Sequence, residues 1–146
     1  MSVSSWPSRK SEFGEPAWDV ATLFPNQGTW SEDEYLALDT NHLVEFTDGY
    51  LEVLPMPTTT HQMIVAFLFK ALEAFVAKHG LGLVLFAPLK IRIRQDKHRE
   101  PDVLFASRDH NHFVGEQFWT GADLVMEVVS ADDPDRDWVK KPVDYV

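Results

Sequence analysis

The sequence predicts an α/β (α+β) fold in which an N-terminal hairpin and a long helix precede a run of strands. Three observations carry this expectation. Leu43 to Leu54 brackets Asp48-Gly49, a strong two-residue hairpin signal because both central positions need φ > 0. His61 to Lys78 has apolar residues on every side, the pattern of a largely buried helix. Leu83–Phe86, Leu89–Arg94, Asp102–Ala106 and Asp123–Val129 are short apolar or β-branched runs that read as strands.

The chain has 146 residues, 45% hydrophobic and 12% aromatic, which suits one domain with a real core and argues against disorder. Residues 1–28 are broken by Pro7, Gly14, Pro16, Pro25 and Gly28 and read as an irregular arm, with Trp6 or Trp18 packing on the body. Residues 29–146 form the domain. Ser31-Glu32-Asp33-Glu34 is a capping box that should start a short helix to about Leu38. The hairpin register pairs Val44 with Val53 and Phe46 with Leu51 on one apolar face. It sets Glu45 opposite Glu52 on the other, where water or a cation must offset the like charges. Pro55-Met56-Pro57 ends the hairpin, Thr60 is placed to cap the long helix, and His79-Gly80 to close it. A last helix is expected from about Pro134 or Asp135, with Asp132, Asp133, Asp135 and Asp137 at its positive end.

Without cysteine the chain has no disulfide, zinc–thiolate site or cysteine nucleophile, which suits a reducing cytoplasm. Its six histidines show no familiar zinc spacing, and His110 and His112 sit in a polar loop. A net charge of −10 argues against a sequence-independent grip on nucleic acid, although local charge leaves a metal-dependent nuclease open. The longest apolar stretch, Met63 to Phe69, is too short to span a bilayer, and the first ten residues lack a secretory apolar region. A cytoplasmic protein with no membrane partner is expected.

Asp102 and Glu127 lie beside or within the apolar runs Pro101–Phe105 and Asp123–Val129. A carboxylate at a buried strand is costly unless paired, hydrogen-bonded or bound to metal. On neighbouring strands the two, with the Val128 carbonyl, would suit Mg²⁺ or Mn²⁺ and phosphodiester chemistry. The plainer alternative has Asp102 capping a turn after Pro101 and Glu127 paired with a buried arginine. Lys90, Arg92 and Arg94 alternate with isoleucines and should share one strand face, with Lys97 and Arg99 extending the basic run. That stripe either contacts nucleic-acid phosphate or protects an edge strand. His61 either orients a water or phosphate or serves as a hydrogen-bonding residue at the helix start. Lys140 and Lys141 read as surface residues, and Trp30, Trp119 and Trp138 as packing.

The ordered set Trp30–Leu36, Val44–Gly49, Pro57–Gln62, Pro101–Phe105, Ala122–Ser130 and Lys141 with Tyr145 closely resembles the Uma-two family of restriction-endonuclease-like proteins. The resemblance runs from about Trp30 to the end. It implies the PD-(D/E)XK nuclease superfamily, whose core is a mixed sheet flanked by helices in the order αβββαβ. On that pattern Asp102 matches the PD aspartate and Glu127 the (D/E) position. Val129 stands where the superfamily lysine would be, and Lys141 matches the family's displaced lysine. Glu45 and His61 match characteristic family positions near the site. The implied chemistry is metal-assisted attack of water on a nucleic-acid phosphodiester, DNA foremost. Asp102 and Glu127 would hold Mg²⁺ and Lys141 would orient the water or stabilise charge. The family pattern continues past the Tyr145 position, so the last core strand is expected to be missing and the open edge filled by another subunit, as in a homodimer. Pro142 requires a helix to begin near Lys141 or break there. A non-catalytic binding or regulatory domain, or a structural subunit pairing through its sheet edge, stands as the alternative.

Overall fold

The computed structural model describes residues 27–38, 40, 42–129 and 141–145. The expected arm falls almost wholly outside these residues, as do Trp6, Trp18, Trp138 and the expected helix start near Pro134.

Helix α1 (Glu32–Leu36) opens on the expected capping box. The Glu34 amide donates to Ser31 Oγ at 3.2 Å and the Ser31 amide to Glu34 Oε2 at 2.8 Å, so two orphan donors are satisfied reciprocally. Strands β1 (Val44–Thr47) and β2 (Tyr50–Val53) pair in the expected register, with Asp48 at φ 47° and Gly49 at φ 88° in the turn. Their apolar face packs on α1 through Trp30 and Tyr35. The Tyr35 ring stacks on Phe46 at 5.0 Å and its hydroxyl donates to the Val44 carbonyl at 2.9 Å.

Strands β4 (Ile91–Arg94) and β5 (Lys97–Arg99) complete an antiparallel sheet in the order β2-β1-β5-β4. Strand β5 carries no apolar residue, so periodicity did not reveal it. The basic stripe does not keep one face. A bulge sets Arg92 across from His98 but Arg94 across from Lys97, and adjacent residues of β5 leave opposite faces.

Helix α2 (Thr59–His79) is capped by Thr58, two residues before the expected Thr60, and closed by Gly80 at φ 61°. Its inner side joins Val65 and Val76 to Val84 and Val103. Those valines lie on β3 (Gly82–Phe86) and β6 (Val103–Ser107), which with β7 (Leu124–Met126) form a second antiparallel sheet, β3-β6-β7. The helix is not largely buried as expected: Met63, Ile64, Phe67 and Phe75 are exposed, because the sheet covers only one of its sides. At 21 residues α2 is also long and apolar enough to cross a membrane, which the shorter Met63–Phe69 stretch did not suggest.

A third cluster, Ile91, Leu104, Ala106 and Trp119, links the two sheets. The fold class is the expected α+β, consistent with a restriction-endonuclease-like fold. The described strands divide between two antiparallel sheets where one mixed sheet was expected, and their parallel contact is a single bridge, Ile91 to Trp119. A short helix α3 (Lys141–Asp144) begins at Lys141, so Pro142 falls in the first turn, where its missing N–H costs nothing.

Candidate active site

The β6–β7 ladder builds the centre of the site. It pairs Leu104 with Val125 and Val103 with Met126, and Asp102 and Glu127 are the next residue of each segment, just beyond the last pair. Asp102 Oδ2 accepts the Val128 amide at 2.7 Å, so Val128 meets Asp102 through its N–H. Because the α2 cap lies at Thr58, His61 falls in the first helical turn, its own amide donating to Thr58 Oγ1 at 3.2 Å. Its Nε2 is 3.4 Å from Asp102 Oδ2, and its buried Nδ1 has no hydrogen-bond partner among the described residues.

A second group adjoins the first through Tyr145, just after α3, whose hydroxyl donates to Glu127 Oε1 at 2.9 Å. Burial, then the charges of Glu127 and Glu45, push the Tyr145 phenol far above its ordinary range, while Arg99 acts in the opposite direction. Glu45 is 2% exposed; its Oε1 accepts the Glu100 amide at 3.3 Å and its Oε2 lies 3.8 Å from Arg99 Nε. Of the water or cation expected over the Glu45–Glu52 face, a cation is present beside Glu45 in Arg99, on the neighbouring strand. Arg99 Nε also donates to Asp144 Oδ2 at 2.8 Å, and Lys97 Nζ pairs with Asp144 Oδ1.

The residues expected to contact nucleic acid are engaged elsewhere within the chain. Lys90 lies 4.6 Å over the Tyr35 ring, Arg92 pairs with Glu32 at 2.6 Å, and Arg94 grips Asp48 through both guanidinium NH2 groups at 2.8 Å. Lys141 heads α3, but its side chain lies outside the described residues. The structure thus brings His61 to Asp102 and places Asp102 and Glu127 at the same end of the β6–β7 ladder, with the charges of Glu127 and Glu45 both acting on Tyr145. Asp144 had no signal in the sequence, because an aspartate beside a matched tyrosine looks like any surface acid. Asp123, in the second motif, accepts the Ser107 amide at 2.7 Å and faces His110 Nδ1 at 2.6 Å, ties that fasten the 3-10 helix Arg108–Phe113 to β6. A cavity of about 260 Å³ lined by Tyr35, His42, Lys90 and Glu100 has neither Asp102 nor Glu127 in its walls.

The donors fit a hard divalent cation. Asp102 and Glu127 bring two carboxylates to the same end of the β6–β7 ladder, where a cation would offset their like charge. Asp102 Oδ1 accepts no bond from a described residue. No group of three or more His, Asp or Glu side chains arranged for a metal occurs among the described residues. Mg²⁺ does not require one, since it is commonly held by one or two carboxylates with waters and substrate phosphate completing its shell.

The family model for Uma2, described as "Putative restriction endonuclease", matches residues 32–146. The chain belongs to that family. Comparison with curated proteins returns no match.

Proposed function

We propose that the protein is a Mg²⁺- or Mn²⁺-dependent endonuclease that hydrolyses phosphodiester bonds of nucleic acid, DNA foremost, in the cytoplasm. The supporting observation is that Asp102 and Glu127 both follow the last pair at one end of the β6–β7 ladder, with His61 Nε2 3.4 Å from Asp102. In this reading the two carboxylates hold the cation, and the Val128 backbone, whose amide fixes Asp102, borders it. The cation supplies Lewis-acid stabilisation of charge developing on the phosphoryl oxygens. Tyr145 fixes Glu127 from the other side, so both ligands are oriented before substrate arrives. His61, within reach of Asp102 and with its other ring nitrogen unpartnered, accepts or relays the proton of the attacking water. The family pattern gives Lys141, four residues before Tyr145, the task of orienting that water, and Glu45 lies 3.8 Å from Arg99.

Plasmid nicking with Mg²⁺ or Mn²⁺ tests this reading on the wild type and Asp102→Ala. Cleavage that requires metal and is lost in Asp102→Ala supports it; no cleavage by the wild type with either metal sinks it. A second reading, a nuclease fold kept for binding or regulation, draws on the cations already satisfied by Glu32, Asp48 and Asp144. It predicts nucleic-acid binding without cleavage. Pairing of two copies through a sheet edge predicts a homodimer by light scattering and fails on a stable monomer.

A further inference from the structure

Two cations of β5 converge on one carboxylate beside the proposed metal ligands. Lys97 and Arg99 both bond Asp144, and their side chains are only 17% and 13% exposed. Arg99 does not depend on Asp144 for its position. One of its terminal nitrogens donates to Thr47 Oγ1 at 2.8 Å and to the His98 carbonyl at 3.1 Å, while Nε donates to Asp144 at 2.8 Å with Glu45 Oε2 3.8 Å away. A preorganised guanidinium with an ammonium two residues away on the same strand face is the donor set that grips a tetrahedral oxyanion. Asp144 is carried by a four-residue helix, and its side chain, 8% exposed, is covered by the two cations it joins.

We propose that Lys97 and Arg99 form a phosphate-binding site, and that Asp144 occupies it in cis as a carboxylate stand-in for the phosphate. Displacing Asp144 opens the site. Identifying the ligand as a nucleic-acid backbone phosphate rests on the nuclease reading; the anion site itself does not. The arrangement gives an acidic chain an anion site without a basic surface, with Glu45 holding Arg99 from behind.

The test titrates inorganic phosphate into the whole wild-type chain, Asp144→Asn, and Asp144→Asn combined with Arg99→Gln. Binding is followed by thermal shift and by the Nε–H NMR signal of Arg99 where that residue is present. Asp144→Asn should bind phosphate roughly tenfold tighter than wild type, the scale of one charge-assisted hydrogen bond. The gain should vanish in the double variant. Equal affinity of wild type and Asp144→Asn, or a gain that survives Arg99→Gln, overturns the proposal. If Asp144→Asn does not melt cooperatively, the wild type decides. Its Arg99 signal must move with phosphate and return with added chloride, and a signal that stays fixed overturns the proposal. A short oligonucleotide that gains affinity in parallel identifies a backbone phosphate; a gain for inorganic phosphate alone supports the site and names its ligand a free phosphate. No metal or cleavage enters these readouts, so the site and the nuclease reading fail separately.

Discussion

The Tyr145 hydroxyl donates to Glu127 Oε1 at 2.9 Å, so a residue of the last described segment fixes one of the two carboxylates that follow the last pair of the β6–β7 ladder. Because burial and the Glu127 charge hold the phenol protonated, it remains a donor throughout the neutral range. Tyr145→Phe should therefore cost about 1–2 kcal/mol, the worth of a partly buried bond to a charged acceptor. The loss should appear as a lower urea midpoint with an unchanged slope. An unaltered midpoint would mean that the hydroxyl contributes nothing to the ladder end.

Divalent metal should stabilise the protein through Asp102. At ~100 times its dissociation constant a ligand adds about 2.7 kcal/mol to the folded state. A thermal melt of the wild type should rise with Mg²⁺ or Mn²⁺, and the same melt of Asp102→Asn should not. Equal shifts in both proteins would place the metal elsewhere, and no shift in either would remove the metal from the site.

Local chemistry made much of this fold legible. Ser31 and Glu34 cap each other, and Asp48-Gly49 sets the hairpin register, because each depends on residues adjacent in sequence. The long helix was legible in type but not in burial, since nothing in its own sequence says how many sides its neighbours cover. Three consecutive threonines also left its cap ambiguous, and the shift from Thr60 to Thr58 moves His61 from the first to the third position of the helix. The site was half legible. Asp102 and Glu127 stood out as carboxylates in apolar runs, whereas the Asp144 pairing with Lys97 and Arg99 joins segments more than 40 residues apart. Strand β5 was hidden because its one fully buried residue, His98, is polar. The basic stripe misled because alternation assumes an unbroken strand, and the bulge before Arg94 breaks it.

Gly49 should be intolerant of a side chain. It sits at φ 88°, and a Cβ there would stand 2.7 Å from the Gly28 carbonyl oxygen. The same turn accepts the amides of Gly28 and Trp30 on the Gly49 carbonyl at 2.8 and 3.2 Å, so the backbone cannot withdraw without breaking both bonds. Gly49→Ala should destabilise by about 1–3 kcal/mol, the cost of a strained left-handed residue. A denaturant titration checks it, and a variant as stable as wild type would show that the Gly28 segment moves freely.

His98 should make the protein acid-sensitive below about neutral pH. The ring is fully buried, its Nε2 lies 2.7 Å from Glu32 Oε1, and its Nδ1 has no hydrogen-bond partner among the described residues. Burial lowers its pKa below the ordinary 6.5; Glu32 opposes that shift, while Arg92 and Lys90 reinforce it. The folded state then binds fewer protons than the unfolded chain, so this contribution is fully present above pH 6.5 and is lost as pH falls through the lower folded value. Burial pushes Glu32 upward, but His98 and Arg92 outweigh it and hold the carboxyl below its ordinary 4.5. Its contribution is present above pH 4.5 and is lost only in stronger acid. Melting temperature should accordingly decline as pH is lowered from 6.5 towards 4.5, and His98→Gln should flatten that decline and also weaken the loss below it, because His98 is the foremost group holding Glu32 down. Identical pH profiles for the two proteins would show that His98 takes up its proton as readily folded as unfolded, and that Glu32 can hold the charged ring inside the sheet.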